Sequence, residues 1–545
     1  MVAWGLSLCG ALIGGCNQLL DFGSYTISKG GDASTTPDAT GDAPAGDSSM
    51  DGGADACPAN PQTKAQLESP CLAKGTCEPF DNATRNTRCA EGGTACPAIV
   101  PPEAGAPAEA GTPTDAGASP DSGPTYPSCF SLTTGPAGGA LPSTTVFATG
   151  STAIQPYMAR VAQVLESLSI ETVVYLGAGS CFGVSAMLNP QTNTLQQIGT
   201  TATYYDPALD GNGNVQQGTC AIDDAAKLAD LGISDVFPTT CVPALLSQGG
   251  LPNNLHDFFG PVQTMEMVVP ASSQETSIST EAAYMVWGFG SHSGVSPWTD
   301  ATFLLQRSAS SGTQNMIAAT IGVPAGEWQG VPNKSSGSVL AAITNVATGK
   351  GIDGGPTSDP QAVSKTMGIL ASDVADSNRQ TLKPLAFQDT GQSCGWYPDT
   401  TASAFDKTNV RDGHYPIWGP SHLIAYSDSN GNETNAAVKT LIDAMDGTNA
   451  QVLATLDVIA FYAKSHIIPT CAMHVQRSDD GHDYTPYAPV TSCSCYYDLQ
   501  ATGQTSCTTC KVDGDCKNAP GGATTCVNVF GLPPVGYCEP PGTGQ

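Results

Sequence analysis

The segment Arg307–Thr313 carries the side chains best suited to hold an oxyanion. It places one guanidinium group ahead of a run of small residues, Ser308-Ala309-Ser310-Ser311-Gly312-Thr313. An apolar run, Phe303-Leu304-Leu305, precedes the segment, and a helix-compatible run, 314–319, follows it. A strand, a small-residue turn and a helix start offer unpaired N–H groups, a partial positive charge and the donor fork of arginine. The alternative interpretation of this segment alone is an ordinary loop with a helix N-cap.

Three further turns of small residues follow predicted strands nearer the N-terminus. They are Gly150-Ser151-Thr152-Ala153, Gly179-Ser180-Cys181 and Gly232-Ile233-Ser234-Asp235. Because strand and helix patterns alternate from residue 144 onwards, we expect a parallel sheet with helices on both faces. In such a sheet, ligands bind at the carboxyl ends of the strands, where these four turns lie.

Hydrophobic periodicity places the elements that would carry these turns. The predicted strands are Thr145–Ala148, Thr172–Leu176, Leu231–Ser234, Val262–Pro270, Thr366–Leu370 and Ser421–Tyr426. The predicted helices are Ile154–Leu168, Ala282–Trp287, Asn435–Met445 and Ala450–Lys464. Residues 211–214, together with Cys220, predict an inserted hairpin.

The four turns, in this order, resemble the phosphate-binding protein family of the phosphate ABC importer, a periplasmic solute-binding fold of two lobes. The family motifs are Gly-x-Thr, Gly-Ser-x-Gly-Val, Gly-Ala-Ser-Asp and Arg-x-x-x-Ser-Gly-Thr. Three further segments also match, namely Trp298-Thr299-Asp300, Met367-Gly368-Ile369 and Tyr415-Pro416-Ile417. The resemblance covers roughly 144–465. It implies an α/β, two-lobed periplasmic-binding-protein fold, to which this chain adds Cys-rich, disulfide-stapled N- and C-terminal extensions.

The resemblance implies phosphate-binding roles for eight residues. They are Thr152, Ala153, Ser180, Asp235, Arg307, Ser311, Gly312 and Thr313. Asp235 is the informative member, because a carboxylate beside an anion is repulsive unless the anion has a proton to donate, as phosphate does and sulfate does not. The alternative role for Asp235 is a turn or N-cap residue.

The chain departs from the family pattern in two places near the site. Many members have a second acidic residue two positions after the arginine, where this chain has Ala309, and Ala153 stands where an aromatic residue is frequent. Cys181, beside Ser180, is expected to pair with Cys220 or Cys241 and so to pin the second turn.

Charge and cysteine content indicate an exported protein. The net charge is −29 with a pI near 4.2 and no basic patch, which argues against nucleic-acid binding. An acidic chain repels anions at long range, so an anion site must be built locally from dipoles and hydrogen bonds. The 20 cysteines of the chain suit disulfides in an oxidising compartment.

The predicted organisation has four parts. Residues 1–16 resemble a bacterial lipoprotein signal with Cys16 as the lipidated residue, which would anchor the protein to a membrane of the cell envelope; the alternative is a plain cleaved signal peptide. Residues 17–142 form a flexible Gly/Ala/Pro/Asp-rich tether with a Cys-rich island at 57–96, of which Cys129 is a candidate sixth member. The binding domain is 143–465, with lobe 1 at 143–261 and 415–465 and lobe 2 at 262–414. Residues 466–545 form a Cys-rich tail.

Other constellations are weaker. The nearest approach to a Gly-x-Ser-x-Gly elbow, Gly290–Gly294, has histidine at its centre, and the 7 histidines show no metal-ligand spacing. Cys507 and Cys510, with Cys493 and Cys495, could bind zinc, but disulfides are favoured in an exported tail. We therefore predict no metal, no cofactor and no catalysis.

The sequence predicts an exported solute-binding lipoprotein that captures phosphate or a related protonated oxyanion between two lobes. An ABC permease is the partner that the resemblance implies. The alternative is a surface interaction or adhesion lipoprotein that reuses the fold without transport and binds through its Cys-rich ends.

Overall fold

The computed structural model describes residues 126–481, 484–528 and 536–540. The predicted signal with Cys16, most of the tether and the Cys-rich island at 57–96 lie outside the described residues. Among the described helices, none combines the length and the apolar character that crossing a membrane requires.

Strands form the centre of the structure, and those of the described residues are numbered here in chain order. They are β1 Thr145–Gly150, β2 Thr172–Gly177, β3 Thr201–Leu209, β4 Val215–Ala221, β5 Leu231–Ser234, β6 Leu255–Pro270, β7 Ser277–Ser279, β8 Leu304–Gln306, β9 Val331–Pro332, β10 Met367–Ala371, β11 Leu382–Pro384, β12 Ala386–Gln388, β13 Trp418–Tyr426, β14 Val475–Gln476, β15 Thr485–Pro486, β16 Thr509–Cys510, β17 Thr525–Val527 and β18 Gly536–Glu539.

Helices cover the sheet and are numbered in the same way. They are α1 Gln155–Ser167, α2 Ser180–Leu188, α3 Leu195–Ile198, α4 Pro238–Cys241, α5 Ala244–Gln248, α6 Thr280–Phe289, α7 Gly312–Ile321, α8 Ser336–Ala347, α9 Ala362–Lys365, α10 Ser372–Asp376, α11 Thr408–Arg411, α12 Ala436–Met445, α13 Ala450–Leu453, α14 Val458–Lys464 and α15 Ser494–Thr502.

One 11-stranded sheet contains two copies of the same strand pattern. In the first copy, β2, β1 and β5 are parallel and β13 is antiparallel to β5. In the second, β9, β8 and β10 are parallel and β6 is antiparallel to β10. The two antiparallel strands, β6 and β13, pair with each other and join the copies. The predicted mixed α/β, two-lobed class is confirmed, and the exact lobe boundaries stay a prediction.

Burial explains why these segments form a covered parallel sheet. All five residues of β10 are buried, as are the first five residues of β2, so both faces of each strand are covered. On α1, Tyr157, Met158 and Val161 pack into the main core at helical spacing. The helices around 154–168, 282–287 and 435–445 and the predicted strands other than Val262–Pro270 are confirmed within a few residues.

Some predicted elements differ from the structure in their bounds. The segment 450–464 is two helices rather than one. The helix α13 ends at Leu453, and Asp457 caps the start of α14 by accepting a hydrogen bond from Ala460 N at 2.9 Å. The strand predicted from Val262 begins earlier, at Leu255, where it pairs with Tyr426. The inserted hairpin is confirmed as β3 and β4.

Disulfides decide the cysteine pairings that the sequence left open. Cys181 pairs with Cys241, which confirms one of the two alternatives. Cys129 pairs with Cys220, so its assignment to the island at 57–96 is wrong; the two residues meet because residue 221 bridges to residue 128 beside the edge strand β4. The tail cysteines form Cys471–Cys493, Cys495–Cys507, Cys510–Cys526 and Cys516–Cys538, so the disulfide interpretation of the tail is confirmed.

The start of the tail packs against the sheet rather than standing apart from it. Arg477 lies over the ring of Trp418 and donates to the carbonyl oxygens of Trp418 at 2.6 Å and Pro416 at 3.0 Å. Asp480 accepts from Phe237 N at 2.8 Å and Thr240 Oγ1 at 2.6 Å. These buried contacts tie the tail to β13 and to the turn that follows Asp235.

Candidate functional site

The carboxyl ends of β1, β2 and β5 meet at one edge of the sheet. Gly150, at the end of β1, lies opposite Gly177 of β2 and Ile233 of β5. Gly150 has a φ of 139°, and a Cβ atom there would lie 1.8 Å from Ile233 O, so only glycine fits. This close approach brings the turns that start at Ser151, Ser180 and Asp235 together.

Asp235 lies at the centre of these turns and is 2% exposed. Its Oδ2 atom accepts hydrogen bonds from Ser151 Oγ at 2.5 Å and from Ser180 Oγ at 3.1 Å. Ser180 Oγ in turn accepts from Asp235 N at 3.1 Å. The structure therefore brings two of the predicted site residues, Ser180 and Asp235, into direct contact.

Ser151 is a site residue that the sequence interpretation missed. Its N–H donates to Ile233 O at 2.9 Å, its carbonyl oxygen accepts from Tyr175 Oη, and its hydroxyl accepts from Ala153 N at 3.0 Å. The N–H of Ala153, expected to face the anion, is thus used within the turn, and the neighbouring Thr152 is half-buried. The available signal was position, because Ser151 is the first hydroxyl residue after β1.

The Arg307–Thr313 segment connects β8 to α7, as its sequence predicts. Arg307 is 3% exposed and donates from Nη1 to Ser336 Oγ, at the start of α8, at 2.6 Å. The first intrahelical bond of α7 runs from Asn315 N to Ser311 O at 3.0 Å. The N–H groups at positions 312–314 therefore precede the hydrogen-bonded part of the helix.

The segment packs directly on the turns of the first strand pattern. Cys181 N donates to Ser310 O at 3.2 Å. A Cβ atom on Gly312 would lie 2.2 Å from Ser180 Oγ and 2.7 Å from Asp235 Oδ2. The N-terminus of α7 therefore lies over the Asp235 carboxyl group, where its partial positive charge is favourable to a negative charge.

Burial dominates the electrostatics of this site. It raises the pKa of Asp235, and the hydrogen bonds from Ser151 and Ser180 and the charges of His422 and Arg307 oppose that rise only in part. It also lowers the pKa of Arg307, against the charges of Asp235 and Asp373. Asp235 Oδ1 and Arg307 Nε are buried, and neither has a hydrogen-bond partner among the described residues. An acceptor and a donor are thus both left unsatisfied.

Asp373 is a second residue that the sequence interpretation missed. It follows β10, which is parallel to β8 and ends at the same edge of the sheet as Arg307. It interacts electrostatically with Arg307, and the negative charge of Asp235 raises the pKa of Asp373. The strand 366–370 was predicted, so applying the strand-end rule to the next residues, Ser372 and Asp373, would have found it.

The described residues offer one cluster with metal-like spacing, Cys510, Cys516 and Cys538 in the tail. Cys510 is bonded to Cys526, and Cys516 is bonded to Cys538. These sulfur atoms are therefore not thiolate ligands in the structure.

No known protein family profile and no curated protein matches this chain. Solved structures do resemble it. An ABC-type phosphate transport receptor from Vibrio cholerae is 14% identical, with a TM-score of 0.35, over 60% of this chain and 100% of the receptor. A phosphate-binding protein from Stenotrophomonas maltophilia is 15% identical, with a TM-score of 0.33, over 60% and 90%.

A Corynebacterium glutamicum OxyR mutant with bound H2O2 also resembles the chain, at 8% identity and a TM-score of 0.29, over 58% of this chain and 69% of that one. At such identities and TM-scores, the neighbours do not decide what this chain binds. The ligand has to be inferred from the side chains of the chain itself.

Proposed function

We propose that this chain binds phosphate, or a related tetrahedral oxyanion that carries a proton, between Asp235 and Arg307. The observation that carries the proposal is the pair of unsatisfied buried atoms, Asp235 Oδ1 and Arg307 Nε. A ligand that satisfies both atoms must donate a hydrogen bond at one end and accept one at the other. HPO₄²⁻ and H₂PO₄⁻ do both, whereas fully ionised sulfate only accepts.

The energetic argument favours such a ligand over an empty polar cluster. A buried polar group without a hydrogen-bond partner costs about 1–3 kcal/mol, and more if it is charged. The start of α7 supplies N–H donors beside Gly312 and Thr313, with Ser311 as the N-cap position. Ser180 would hold Asp235 in place, and Thr152 and Ala153 would border the anion from the first turn.

Calorimetry of the purified chain with phosphate, arsenate and sulfate tests this function. We expect phosphate and arsenate to bind and sulfate to bind at least about tenfold more weakly, because a bare anion leaves Asp235 facing unpaired negative charge. In the Asp235→Asn variant, the amide can donate to any anion oxygen, so the preference for phosphate over sulfate should shrink by about tenfold or more.

The matched control is Asp230→Asn, at the opposite end of β5. Asp230 pairs with Lys227 at 3.1 Å and accepts from Phe147 N at 2.9 Å, away from the site. Its substitution should leave the anion preference unchanged. Absence of heat with all three anions at millimolar concentration would refute the proposed function.

We also propose that the protein is exported, lipid-anchored through Cys16 and partnered by an ABC permease. The disulfides of the described residues support an oxidising compartment, and the run before Cys16 supports the lipid anchor. Fractionation of cells that produce the Cys16→Ser variant tests the anchor. We expect this substitution to move the protein from the membrane fraction to the soluble fraction. An unchanged membrane fraction would contradict it.

One observation favours the alternative of a surface interaction lipoprotein. The hydroxyls of Ser151 and Ser180 are turned to Asp235, and Gly312 packs on the same carboxyl group. These contacts would hold the two strand patterns together even in a chain that binds no anion. The calorimetric experiment distinguishes the two functions, because only the anion-binding function predicts a heat of binding with phosphate.

A further inference from the structure

Asp373 has a buried carboxyl group that has no role in the proposed anion contacts. It is the second residue of α10 and is 7% exposed. Neither of its carboxyl oxygens has a hydrogen-bond partner of good geometry among the described residues; the backbone N–H groups of Val374 and Asp373 are close but poorly aligned. Because Gly368 of β10 lies opposite Leu305 of β8, the chain leaves both strands at the same edge, and Asp373 and Arg307 follow them there. Asp373 is therefore a buried acid at the same sheet edge as the arginine of the proposed site.

The surroundings of Asp373 disfavour its ionised form. Burial and the negative charges of Asp235 and Asp376 raise the pKa of Asp373 to about 8, and the backbone N–H groups of Val374 and Asp373 oppose that rise only in part. Arg307 carries the positive charge that interacts with Asp373 at this site. Near neutral pH, Asp373 therefore carries a proton.

The other elements packed against α10 bring few ionisable groups. On β6, Glu266 lies opposite Leu370 of β10, whereas His256 and Asp257 lie at the other end of the strand, opposite β13. The strand β11 carries Lys383, while α8 and β10 have no titratable side chain. At the C-terminal end of α10, Arg379, Lys407 and His466 lie around Asp376 rather than Asp373.

We propose that Asp373 is a proton-carrying donor to the bound anion, so that the chain captures phosphate only while this carboxyl group is protonated. The inference rests on the proposed function of the site between Asp235 and Arg307. A neutral carboxyl group donates one O–H hydrogen bond to an anion oxygen and adds no negative charge. After Asp373 loses its proton, two carboxylates face one anion, and Coulomb repulsion opposes binding. Asp235 accepts from the ligand, and Asp373 donates to it.

The test is a calorimetric titration of phosphate into the purified chain and its Asp373→Asn variant, from about pH 6 to about pH 9.5. Asparagine stays neutral and keeps a donor at every pH. We expect the two proteins to have similar Kd values near pH 6. Above about pH 8, the Kd of the wild type should rise relative to that of the variant by about tenfold per pH unit, because one proton is linked to binding. The ratio of Kd values cancels the ionisation of phosphate itself.

Two further variants guard the interpretation. Asp373→Ser keeps a small neutral donor and should also remove the extra pH dependence. It allows the same measurement if the Asp373→Asn variant does not fold. Glu171→Gln is the matched control, because Glu171 is a buried acid whose pKa burial raises to about 8, at the other end of β2 from the site. Its Kd ratio to the wild type should be flat across the pH range.

Each outcome decides the inference. A pH-dependent ratio for Asp373→Asn and Asp373→Ser, with a flat ratio for Glu171→Gln, supports it. A flat ratio for folded Asp373 variants, or loss of their binding near pH 6, overturns it while leaving the proposed function intact. Failure of the wild type to bind phosphate at any pH overturns both.

Discussion

Replacement of Arg307 by alanine should weaken phosphate binding by about a hundredfold or more. Removing one partner of a buried, hydrogen-bonded charge pair costs about 2–5 kcal/mol, part of which is the unpaired charge left behind. Arg307 Nη1 is held by Ser336 Oγ, which leaves Nε for a ligand. The measurement is the phosphate Kd by calorimetry, with near-ultraviolet circular dichroism to establish that the variant is folded.

Two variants show whether the effect comes from the guanidinium fork. Arg307→Lys keeps the charge but loses the planar donors, so its Kd should lie between those of the wild type and the alanine variant. Arg160→Ala removes an arginine on α1 that bonds to Gln163 and should leave the Kd unchanged. Equal Kd values for Arg307→Ala and the wild type would place the anion site elsewhere.

The stability of the Arg307 variants carries separate information. Burial lowers the pKa of Arg307 against the charges of Asp235 and Asp373, so burial disfavours its charge in the unliganded chain. Its removal is therefore expected to cost little stability, even though it removes binding, as is frequent for residues selected for function.

Replacement of Lys407 by alanine should have the largest effect on stability, about 3–5 kcal/mol. Lys407 is fully buried, and its Nζ atom lies 2.5 Å from Asp376 Oδ2 and 2.9 Å from Asp399 Oδ1. Arg379 contacts both carboxylates as well, so two cations and two anions balance one another. Without Lys407, one buried carboxylate is left uncompensated. Chemical or thermal unfolding measures the loss.

The pH dependence of unfolding should change with this variant. The pKa of Asp376 lies below its ordinary value in the folded chain, against the effect of burial, because the charges of Lys407 and Arg379 favour the carboxylate. Its contribution to stability is therefore present above the unfolded-state pKa and is lost as the pH falls through the folded-state pKa. The Lys407→Ala variant should lose much of this sensitivity to acid.

The control for Lys407 is Lys439→Ala. Lys439 forms an exposed pair with Asp443 at 2.7 Å, on the surface of α12. An exposed pair contributes at most about 1 kcal/mol. A loss of stability for Lys407→Ala no larger than that of Lys439→Ala would show that the buried network is dispensable. Because Asp376 and Asp373 share α10, the same variant should also disturb the position of Asp373.

Local patterns made much of the fold predictable. Short apolar runs bounded by turn residues located β1, β2, β5 and β10, and the alternation of strands with helices indicated a parallel sheet. Strand-end turns then located Ser180, Asp235 and the Arg307 segment at one edge. These signals depend on residues close together in the chain, which is why a single sequence contains them.

Contacts between distant segments were not predictable in the same way. Cys129 forms a disulfide with Cys220 rather than with a cysteine of the island at 57–96, and Asp480 of the tail accepts a hydrogen bond from the turn after Asp235. Strand pairing and packing decide which of these distant segments are neighbours. Tail composition indicated disulfides but contained no information about the surface on which the tail would pack.

The sequence by itself determined the element types, the four turns and the presence of an arginine and an acid suited to an anion with a proton. Only the tertiary structure decided that Ser151 holds Asp235, that Gly312 lies on the same carboxyl group and that Asp373 and Arg307 follow neighbouring strands at one sheet edge. The physical reason is that hydrogen bonding and burial depend on which strand ends are neighbours, and the order of strands in the sheet differs from their order in the chain.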